Sequence, residues 1–333
     1  MAIEKRALGK SGMSIAPLAL GGNVFGWTAD EKTSFDILDA FVDAGGTMID
    51  TADVYSAWAP GHVGGESETV IGNWLKRDPA KRDKVVIATK VGFLDGRLED
   101  KKDYNGNVTG QEYVASLHPD VIARAANDSL RRLGIDTIDL YYQHRDNPEV
   151  PLADSLGAFE KLRQAGKIRH TGLSNFEPHR VEEALETAAA ENLAPAVAVQ
   201  GWYNLVEREK YEGALQDVVT ARGLSFFPFY SLANGFLTGK YRSKEDLGKS
   251  VRGMRNVGYL EGRGPRVLAA LDEVAAETGA SLATVTLAWT KARPGITAPI
   301  ASATSLDQAG DLIAALTLDL TPGQMERLDA ASA

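Results

Sequence analysis

Short runs of β-branched and other apolar residues alternate along the chain with longer stretches in which apolar residues recur every three or four positions. The short runs predict eight core strands, at residues 16–20, 47–51, 85–90, 138–143, 168–174, 196–200, 224–230 and 297–302. The longer stretches predict nine helices, at residues 31–44, 67–75, 119–133, 152–165, 178–192, 208–222, 265–278, 281–292 and 305–315. Residues 3–14 predict an N-terminal β-hairpin with its turn at 9–12. This alternation is typical of βα units rather than of separate β and α regions.

Glycines mark the ends of four predicted helices. Each stands where a left-handed residue commonly ends a helix: Gly45, Gly134, Gly166 and Gly223. Eight strands with helical crossovers favour an α/β fold of the (β/α)8 TIM-barrel type over an open doubly wound sheet, because no switch point is needed. No linker interrupts residues 1–333, so we expect a single barrel domain. The segments 92–118 and 231–264 predict long loops at the C-terminal face, where barrel active sites lie.

Composition and charge exclude several classes of function. The chain of 333 residues contains no Cys, which excludes a disulfide framework, cysteine-ligated metal and a thiol nucleophile. Its net charge of −9 opposes nucleic-acid binding. No window of 18 residues is apolar and uncharged, and the N-terminal residues lack a targeting pattern. We therefore expect a cytoplasmic protein without membrane insertion, and the pattern indicates no particular oligomeric state.

Several common chemical motifs are missing from the sequence. No G-x-G-x-x-G follows a predicted strand, and neither G-K-S segment has the upstream Gly of a P-loop. The five His form no H-x-x-x-H pair, and there is no G-x-S-x-G. We therefore predict no metal site and no serine hydrolase, and any phosphate must be bound by another device.

Ionisable residues follow three successive predicted strands: Asp50, Lys90 and His144. A barrel brings such strand ends to one mouth, and Tyr55 lies in the loop that leaves the second strand. A buried Lys needs a partner, for which Asp50 is the natural candidate. An ammonium stabilises a neighbouring phenolate, so Tyr55 is a candidate proton donor, and His144 could polarise a carbonyl oxygen. Each residue alone has a structural interpretation, as an ion pair, a buried histidine or a rim aromatic, but their joint occurrence at matching strand ends favours a site.

A series of ordered motifs gives the chain a family resemblance. They are RALGKSGM, PLALGGN, DTADVY, GESETVIG, ATK, QH, AGKIRHTGLSNF, QGWYNL and GFLTGKY. With them the chain resembles the aldo-keto reductase superfamily over nearly its whole length, and its GLSNF and GFLTGKY forms are closest to the bacterial and potassium-channel β-subunit-like branches. The resemblance implies a tetrad of Asp50, Tyr55, Lys90 and His144. It also implies reduction of an aldehyde or ketone, a small-molecule carbonyl substrate, by NADPH, with NADH possible and Tyr55 as the proton donor.

The same resemblance implies a set of cofactor contacts. Gly22, Asn23 and Asp50 would contact the cofactor from the first two strands; Ser174, Asn175 and Gln200 would hold the carboxamide, and Tyr230 would stack on the nicotinamide ring. The pyrophosphate would be wrapped by residues 231–240, with contacts from Ser231, Leu232, Gly235, Leu237, Gly239 and Lys240. The adenosine end would meet Ser302, Thr304, Gln308 and Asp311.

Two departures from the family pattern affect these expectations. Leu232 stands where the family commonly has Pro, which leaves the loop path there open. No Lys or Arg occurs from Ile296 to Glu326, although a 2′-phosphate normally calls for a basic partner. The hydroxyls and Gln308 at a helix N-terminus could bind that phosphate, as could Arg252 or Arg255.

Aromatic residues in the predicted mouth loops suggest a substrate wall. They are Phe25, Trp27, Trp58, Phe93, Tyr104 and Trp202. The alternative is that half of them close the barrel or the hairpin. The charged segment 92–118 predicts a solvated lid. Two rival functions stay open: a cofactor-binding interaction or regulatory protein like the channel β-subunits, and a Schiff-base enzyme that uses Lys90.

Overall fold

The computed structural model describes residues 3–102 and 108–333, and the side chains of these residues outside 97–113. The strands are β1 (Arg6–Ala7), β2 (Ser14–Ile15), β3 (Ala19–Gly21), β4 (Met48–Asp50), β5 (Val86–Val91), β6 (Arg97–Lys102), β7 (Val108–Val114), β8 (Ile138–Gln143), β9 (Ile168–Ser174), β10 (Ala198–Trp202), β11 (Ser225–Phe229) and β12 (Ile300–Ala301). The α-helices are α1 (Glu31–Asp43), α2 (Glu66–Arg77), α3 (Pro119–Leu133), α4 (Leu152–Gln164), α5 (Pro178–Ala190), α6 (Ala214–Arg222), α7 (Gly264–Thr278), α8 (Leu282–Lys291), α9 (Leu306–Ala315) and α10 (Pro322–Ser332). Short 3-10 helices span Pro79–Lys84, Arg208–Lys210, Ala233–Thr238, Lys244–Lys249 and Gly253–Leu260.

Eight parallel strands form the central sheet, in the order β11-β10-β9-β8-β5-β4-β3-β12. The strands at the two ends of this order are connected, because Phe226 and Ile296 form a parallel bridge and the Thr297 N–H donates to the Phe226 carbonyl at 2.9 Å. Apolar side chains of β3, β5, β8 and β10 are buried, as expected for strands covered on both faces. The predicted (β/α)8 barrel fold is confirmed.

The chain packs as two compact units. Unit 1 consists of Met1–Gly21, Asp36–Met48 and Gln200–Ala333, and it includes the hairpin, β3, residues 200–202 of β10, β11, β12 and helices α6 to α10. Unit 2 consists of Gly22–Phe35 and Ile49–Val199, and it includes β5, β8, β9 and helices α2 to α5. The expectation that residues 1–333 form one domain stays a prediction.

The local signals in the sequence produce the expected structures at several points. In the N-terminal hairpin Arg6 pairs with Ile15 and Ala7 with Ser14, and both turn glycines have positive φ. Gly134 has φ 64° and donates its N–H to the Leu130 carbonyl, which ends α3. The other predicted end glycines, Gly45, Gly166 and Gly223, also have positive φ.

The two long insertions contain more regular structure than loops. Within 92–118 the strands β6 and β7 pair as an antiparallel hairpin, with a register shift between Lys101 and Lys102. Residues 103–107 lie outside the described part of the chain, so the predicted aromatic contact of Tyr104 does as well. The segment 231–264 forms three 3-10 helices.

One predicted helix is wrong at its start, and one helix of the structure is absent from the predictions. Helix α6 begins at Ala214 rather than at 208, because Gly213 with φ 101° separates it from the 3-10 turn Arg208–Lys210. Helix α10 was not predicted, although Thr321 and Gln324 form a capping box at its start. Among the described residues no helix is both long and apolar enough to cross a bilayer.

Candidate active site

Lys90 and Asp50 form the expected ion pair inside unit 2. Both lie at the carboxyl ends of strands, Asp50 closing β4 and Lys90 in β5, and the Lys90 Nζ is 2.7 Å from Asp50 Oδ2. The exposed fraction is 0% for Lys90 and 1% for Asp50. Burial lowers the pKa of Lys90, and the charge of Asp50 opposes this effect. The pair therefore holds an ammonium in a position from which water is excluded.

The Tyr55 hydroxyl completes the set of acceptors around this ammonium. Lys90 Nζ donates to the Tyr55 hydroxyl at 2.8 Å, and it also donates to the Thr51 carbonyl at 2.8 Å. The Tyr55 hydroxyl in turn lies 3.4 Å from Asp50 Oδ2. The sequence does not predict the Thr51 contact, because every residue has a backbone carbonyl and the residue type does not show which one accepts a hydrogen bond. All three N–H groups of the ammonium are engaged, and Tyr55 is the only partly exposed member of the group.

His144 follows β8 and lies beside Tyr55. The two ring centroids are 6.0 Å apart, and Phe93 packs edge-on against the imidazole at 4.4 Å. Burial lowers the pKa of His144 well below its usual value, and the charges of Lys90 and Arg145 act in the same direction. The imidazole is therefore neutral near pH 7. Its Nδ1 is buried and has no hydrogen-bond partner among the described residues.

Asn175, expected at the carboxamide site, holds the backbone of His144. Its φ is 56°, and its side-chain amide donates to the His144 carbonyl at 2.9 Å and to Ser174 Oγ at 3.1 Å. Ser174 ends β9 and is fully buried. These contacts leave the Asn175 carbonyl oxygen as an acceptor and fix the loop that carries the imidazole.

Gly22 brings the start of unit 2 against Asp50. Its N–H donates to the Asp50 carbonyl at 2.7 Å, and its carbonyl accepts from Ser67 Oγ at 2.8 Å. A Cβ at position 22 would lie 2.8 Å from Ser67 Oγ, so only glycine fits. Asn23 follows and is partly buried. This close approach sets the position of Asp50 from the backbone.

A second buried charge cluster, not predicted from the sequence, lies behind Lys90. Arg132 Nε is 2.6 Å from Glu68 Oε2, and the Thr89 hydroxyl donates to Glu68 Oε1 at 2.6 Å. Asp53 is 1% exposed, and neither of its carboxyl oxygens has a hydrogen-bond partner of normal geometry in the described residues. Burial and the charge of Glu68 raise the pKa of Asp53 well above its usual value, against the weaker effects of Arg132 and nearby backbone N–H groups. Glu68 lies in the motif GESETVIG, but no local pattern indicates that it meets Arg132.

Three aromatic side chains surround Tyr55 and His144 in unit 2. The ring centroids of Trp27 and Trp58 are 5.6 Å apart, and those of Tyr55 and Trp58 are 5.9 Å apart. Trp58 is 46% exposed, so the edge of this group is open to solvent, and Phe93 faces His144 from another side. Phe25 is fully buried, and its contact with a substrate stays a prediction.

In unit 1 the predicted pyrophosphate segment has an unusual backbone. Positive φ occurs at Tyr230, Ala233, Asn234, Gly235 and Gly239. Left-handed residues in close succession turn backbone N–H groups into an anion-binding concavity. The Asn234 Oδ1 is buried without a hydrogen-bond partner among the described residues. This backbone fits a phosphate group without a Rossmann turn.

Lys240 lies against this turn. A Cβ at position 235 would lie 3.1 Å from Lys240 Nζ, so the ammonium sits directly on the Gly235 backbone. Lys240 is exposed, and no carboxylate of the described residues lies within ion-pair distance of it. The Leu232 carbonyl accepts hydrogen bonds from the N–H groups of Gly235 and Leu237. The turn therefore closes with Leu, rather than the Pro that is common in the family, at this position. Ser231 is buried and donates to the Pro228 carbonyl.

Tyr230 has a partner that the sequence did not indicate. The Trp202 ring lies 4.2 Å from the Tyr230 ring, tilted by 43°. Glu207 Oε2 accepts from Trp202 Nε1 at 2.6 Å and from the Tyr259 hydroxyl at 2.6 Å. The long segment 231–264 therefore supports Trp202 through Glu207. Gln200 stands two residues earlier in β10 and is 2% exposed.

The predicted adenosine end surrounds the start of α9. Ser305 caps the helix by accepting from the Gln308 N–H, and Gln308 Oε1 accepts from the N–H and hydroxyl of Thr304. Ser302 is partly buried, and the Asp311 carbonyl accepts from Thr284. The Gln308 side-chain amide remains as a donor. A helix N-terminus with hydroxyl and amide donors fits an anionic group, although no basic residue belongs to this set.

A barrel whose strand ends hold a buried ammonium, a hydroxyl bonded to it and a neutral imidazole is typical of enzymes that move a proton at a carbonyl oxygen. The comparison with known proteins agrees with this class. The chain belongs to the aldo/keto reductase family, whose model matches residues 17–333. The family generally uses NAD(P)H in the oxidoreduction of carbonyl compounds, and the chain is an oxidoreductase of this family.

Several relatives are similar over nearly the whole chain. The uncharacterized oxidoreductase YrpG of Bacillus subtilis is 32% identical over 320 residues, which cover 96% of this chain and 92% of that protein. Protein tas of Escherichia coli is 29% identical over 343 residues, covering 96% of this chain and 95% of the relative. A probable voltage-gated potassium channel subunit beta of Oryza sativa subsp. japonica is 28% identical over 336 residues, which cover 98% of this chain and 96% of that protein. The predicted likeness to bacterial and channel-subunit branches is confirmed.

Proposed function

We propose that the protein reduces an aldehyde or ketone to the alcohol with NADPH and that Tyr55 donates the proton. When bound, the reduced nicotinamide supplies a hydride to the carbonyl carbon. Tyr55 gives its hydroxyl proton to the carbonyl oxygen, and the neutral imidazole of His144 donates a hydrogen bond that orients the same oxygen. Asp50 keeps the ammonium of Lys90 charged and in place.

One observation carries this proposal, the hydrogen bond of 2.8 Å from Lys90 Nζ to the Tyr55 hydroxyl. The ammonium is fully buried, so its field at the phenolic oxygen is not screened by water. It stabilises the phenolate that remains after proton donation. Because Tyr55 is partly exposed, a carbonyl compound can approach the hydroxyl from the side away from Lys90.

Two sets of residues support NADPH as the cofactor. In unit 1, Tyr230, the left-handed turn 233–235 and Lys240 suit a nicotinamide ring and a pyrophosphate. In unit 2, Ser174 and Asn175 offer a hydroxyl and an amide oxygen to the carboxamide. The 2′-phosphate would be held by Thr304, Ser305 and Gln308 at the start of α9, with Arg252 or Arg255 as the basic partner. NADH use would follow if those donors bind the phosphate weakly.

The Tyr55→Phe variant tests the proton-donor role. We expect kcat for reduction of an aromatic aldehyde to fall by at least about a thousandfold. Phenylalanine has no hydroxyl, so it can neither donate the proton nor form the phenolate that Lys90 stabilises. Binding of NADPH, followed by quenching of Trp fluorescence, should stay within a few-fold. Tyr141→Phe is the matched control, since the Tyr141 hydroxyl is buried in β8 without a hydrogen-bond partner among the described residues. Near-normal turnover of Tyr55→Phe would refute the assignment.

A second candidate function is that of a cofactor-binding regulatory subunit, because relatives named as potassium channel subunits align with 97–98% of this chain. The two functions differ in turnover: a regulatory subunit binds NADPH tightly and reduces aldehydes slowly or not at all. The Schiff-base alternative for Lys90 has less support, since its three N–H groups are engaged by Asp50, Thr51 and Tyr55. Borohydride trapping with a carbonyl compound would reveal such an adduct.

A further inference from the structure

Arg145 follows His144 directly and lies at the same strand end. It is partly buried, and its guanidinium carbon stands over the Phe93 ring, 5.5 Å from the centroid. Phe93 also packs against the His144 ring at 4.4 Å. The cation and the imidazole therefore share one aromatic neighbour, and the charge of Arg145 is one of the causes that lower the pKa of His144.

Asp146, which follows Arg145, and Asp95, which lies close to Phe93 in the sequence, are bound by other arginines. The Asp146 carboxylate accepts hydrogen bonds from Nε and Nη2 of Arg180, at 2.7 and 3.0 Å. Asp95, two residues after Phe93, lies 3.0 Å from Arg124. Among the described residues no carboxylate lies within 4.0 Å of the Arg145 guanidinium, and no hydrogen bond to it is present.

A partly buried guanidinium with an aromatic ring as its only close partner in the described chain is incompletely satisfied. Its five N–H donors are arranged to bind a carboxylate in a bidentate manner, and the ring covers only one face of the planar group. The Asp146–Arg180 and Asp95–Arg124 pairs keep the neighbouring carboxylates away from it. An anionic group that arrives with a ligand would find these donors free of a competing protein carboxylate.

We infer that Arg145 binds a carboxylate of the substrate, so that the preferred substrates are carbonyl compounds that carry a carboxylate group. This inference rests on the proposed reductase function and deepens it. A carboxylate suits the site better than a phosphate, because one guanidinium balances a monoanion. The aromatic side chains Trp27, Trp58 and Phe93 would cover the apolar part of such a substrate.

Matched pairs of aldehydes test the inference with the wild-type protein and NADPH. The acids are 3- and 4-carboxybenzaldehyde, and their methyl esters keep the ring and the aldehyde but remove the charge. We expect kcat/KM for at least one acid to exceed that for its ester by about ten- to one hundredfold, the range of a hydrogen bond between charged groups. The preference should decrease with added salt.

Two variants assign that preference to Arg145. Arg145→Met keeps most of the aliphatic stem and removes the charge, so it should abolish the preference for the acid, measured as the ratio of kcat/KM for the acid to kcat/KM for the ester. Arg145→Lys keeps the charge without the planar fork and should retain part of the preference. Arg131→Met is the matched control, because Arg131 is 72% exposed on α3 and pairs with Asp128 there.

Binding of benzoate separates this inference from the reductase function. Benzoate should bind the NADPH complex at least tenfold more tightly than benzamide, and Arg145→Met should remove the difference. If neither aldehyde pair is reduced but benzoate binds through Arg145, the reductase proposal fails and the anion site stands. Equal kcat/KM for acid and ester with equal binding of benzoate and benzamide would overturn the inference, as would an unchanged preference in Arg145→Met. If that variant does not fold, the comparison of benzoate with benzamide on the wild type and Arg145→Lys decides.

Discussion

Removal of Lys90 should destabilise the fold far more than its size suggests. Lys90→Met keeps a side chain of similar length but deletes the ammonium that donates to Asp50, Thr51 and Tyr55. Asp50 is 1% exposed and would become a buried carboxylate without its cation. Removing one partner of a buried ion pair costs about 3–5 kcal/mol. We expect a loss of that size in the free energy of unfolding.

The companion variant Asp50→Asn shows whether the loss is electrostatic. In the double variant Asp50→Asn/Lys90→Met both charges are gone, so no buried charge remains unpaired. We expect the double variant to recover at least about 2 kcal/mol relative to Lys90→Met, because replacing both members of a buried pair is often nearly neutral. Reduction should be absent from all three variants, which separates stability from catalysis.

Urea unfolding at neutral pH, followed by circular dichroism, measures these differences. Lys76→Met is the control for the chemical change, since Lys76 is exposed on α2 and its loss should cost less than about 0.5 kcal/mol. If Lys90→Met unfolds within about 1 kcal/mol of the wild type, the ion pair does not stabilise the fold as argued. If the double variant is as unstable as Lys90→Met, lost packing rather than an unpaired charge explains the cost.

The elements with strong signals at both ends could be predicted from the sequence. Strands β8 and β9 and helix α3 lie at the predicted residues. β8 is an apolar run, and α3 begins with Pro119 and ends before Gly134, which has the left-handed conformation expected of it. The β6–β7 hairpin could not be found in this way, because its residues are mostly polar and the pairing of backbone groups leaves no periodicity in the side chains.

The contacts of the candidate site also include some that the sequence predicts and some that it does not. The pair Asp50–Lys90 could be expected, since each residue interrupts an apolar strand at its carboxyl end and the barrel topology brings these ends together. The pairing of Glu68 with Arg132 could not, because it joins two helices 64 residues apart. It depends on Gly72, where a Cβ would lie 2.1 Å from the Arg132 carbonyl oxygen, so that only glycine lets α2 approach the end of α3. Such a contact follows from tertiary packing, which the local sequence pattern does not predict.

Three further variants test the charges of the site. Lys240→Ala should weaken NADPH binding at least tenfold in a fluorescence titration, because the ammonium lies against the turn at Gly235 that we propose holds the pyrophosphate; unchanged affinity would refute its role. His144 has a pKa lowered by burial, so its contribution to stability should decrease as pH falls below about 6.5, and in urea unfolding the difference between the wild type and His144→Gln should change by up to about 1.4 kcal/mol per pH unit. Asp53 should give the opposite dependence of stability on pH. Burial and the charge of Glu68 raise the pKa of Asp53 well above its usual value, so the folded protein favours the protonated carboxyl more than the unfolded chain does. The contribution of Asp53 to stability is therefore lost as pH rises above about 4, and the advantage of Asp53→Asn should grow by up to about 1.4 kcal/mol per pH unit in urea unfolding between pH 5 and 7. The exposed Asp83→Asn should show no such growth, and a flat difference for Asp53→Asn would mean that Asp53 is ionised in the folded protein.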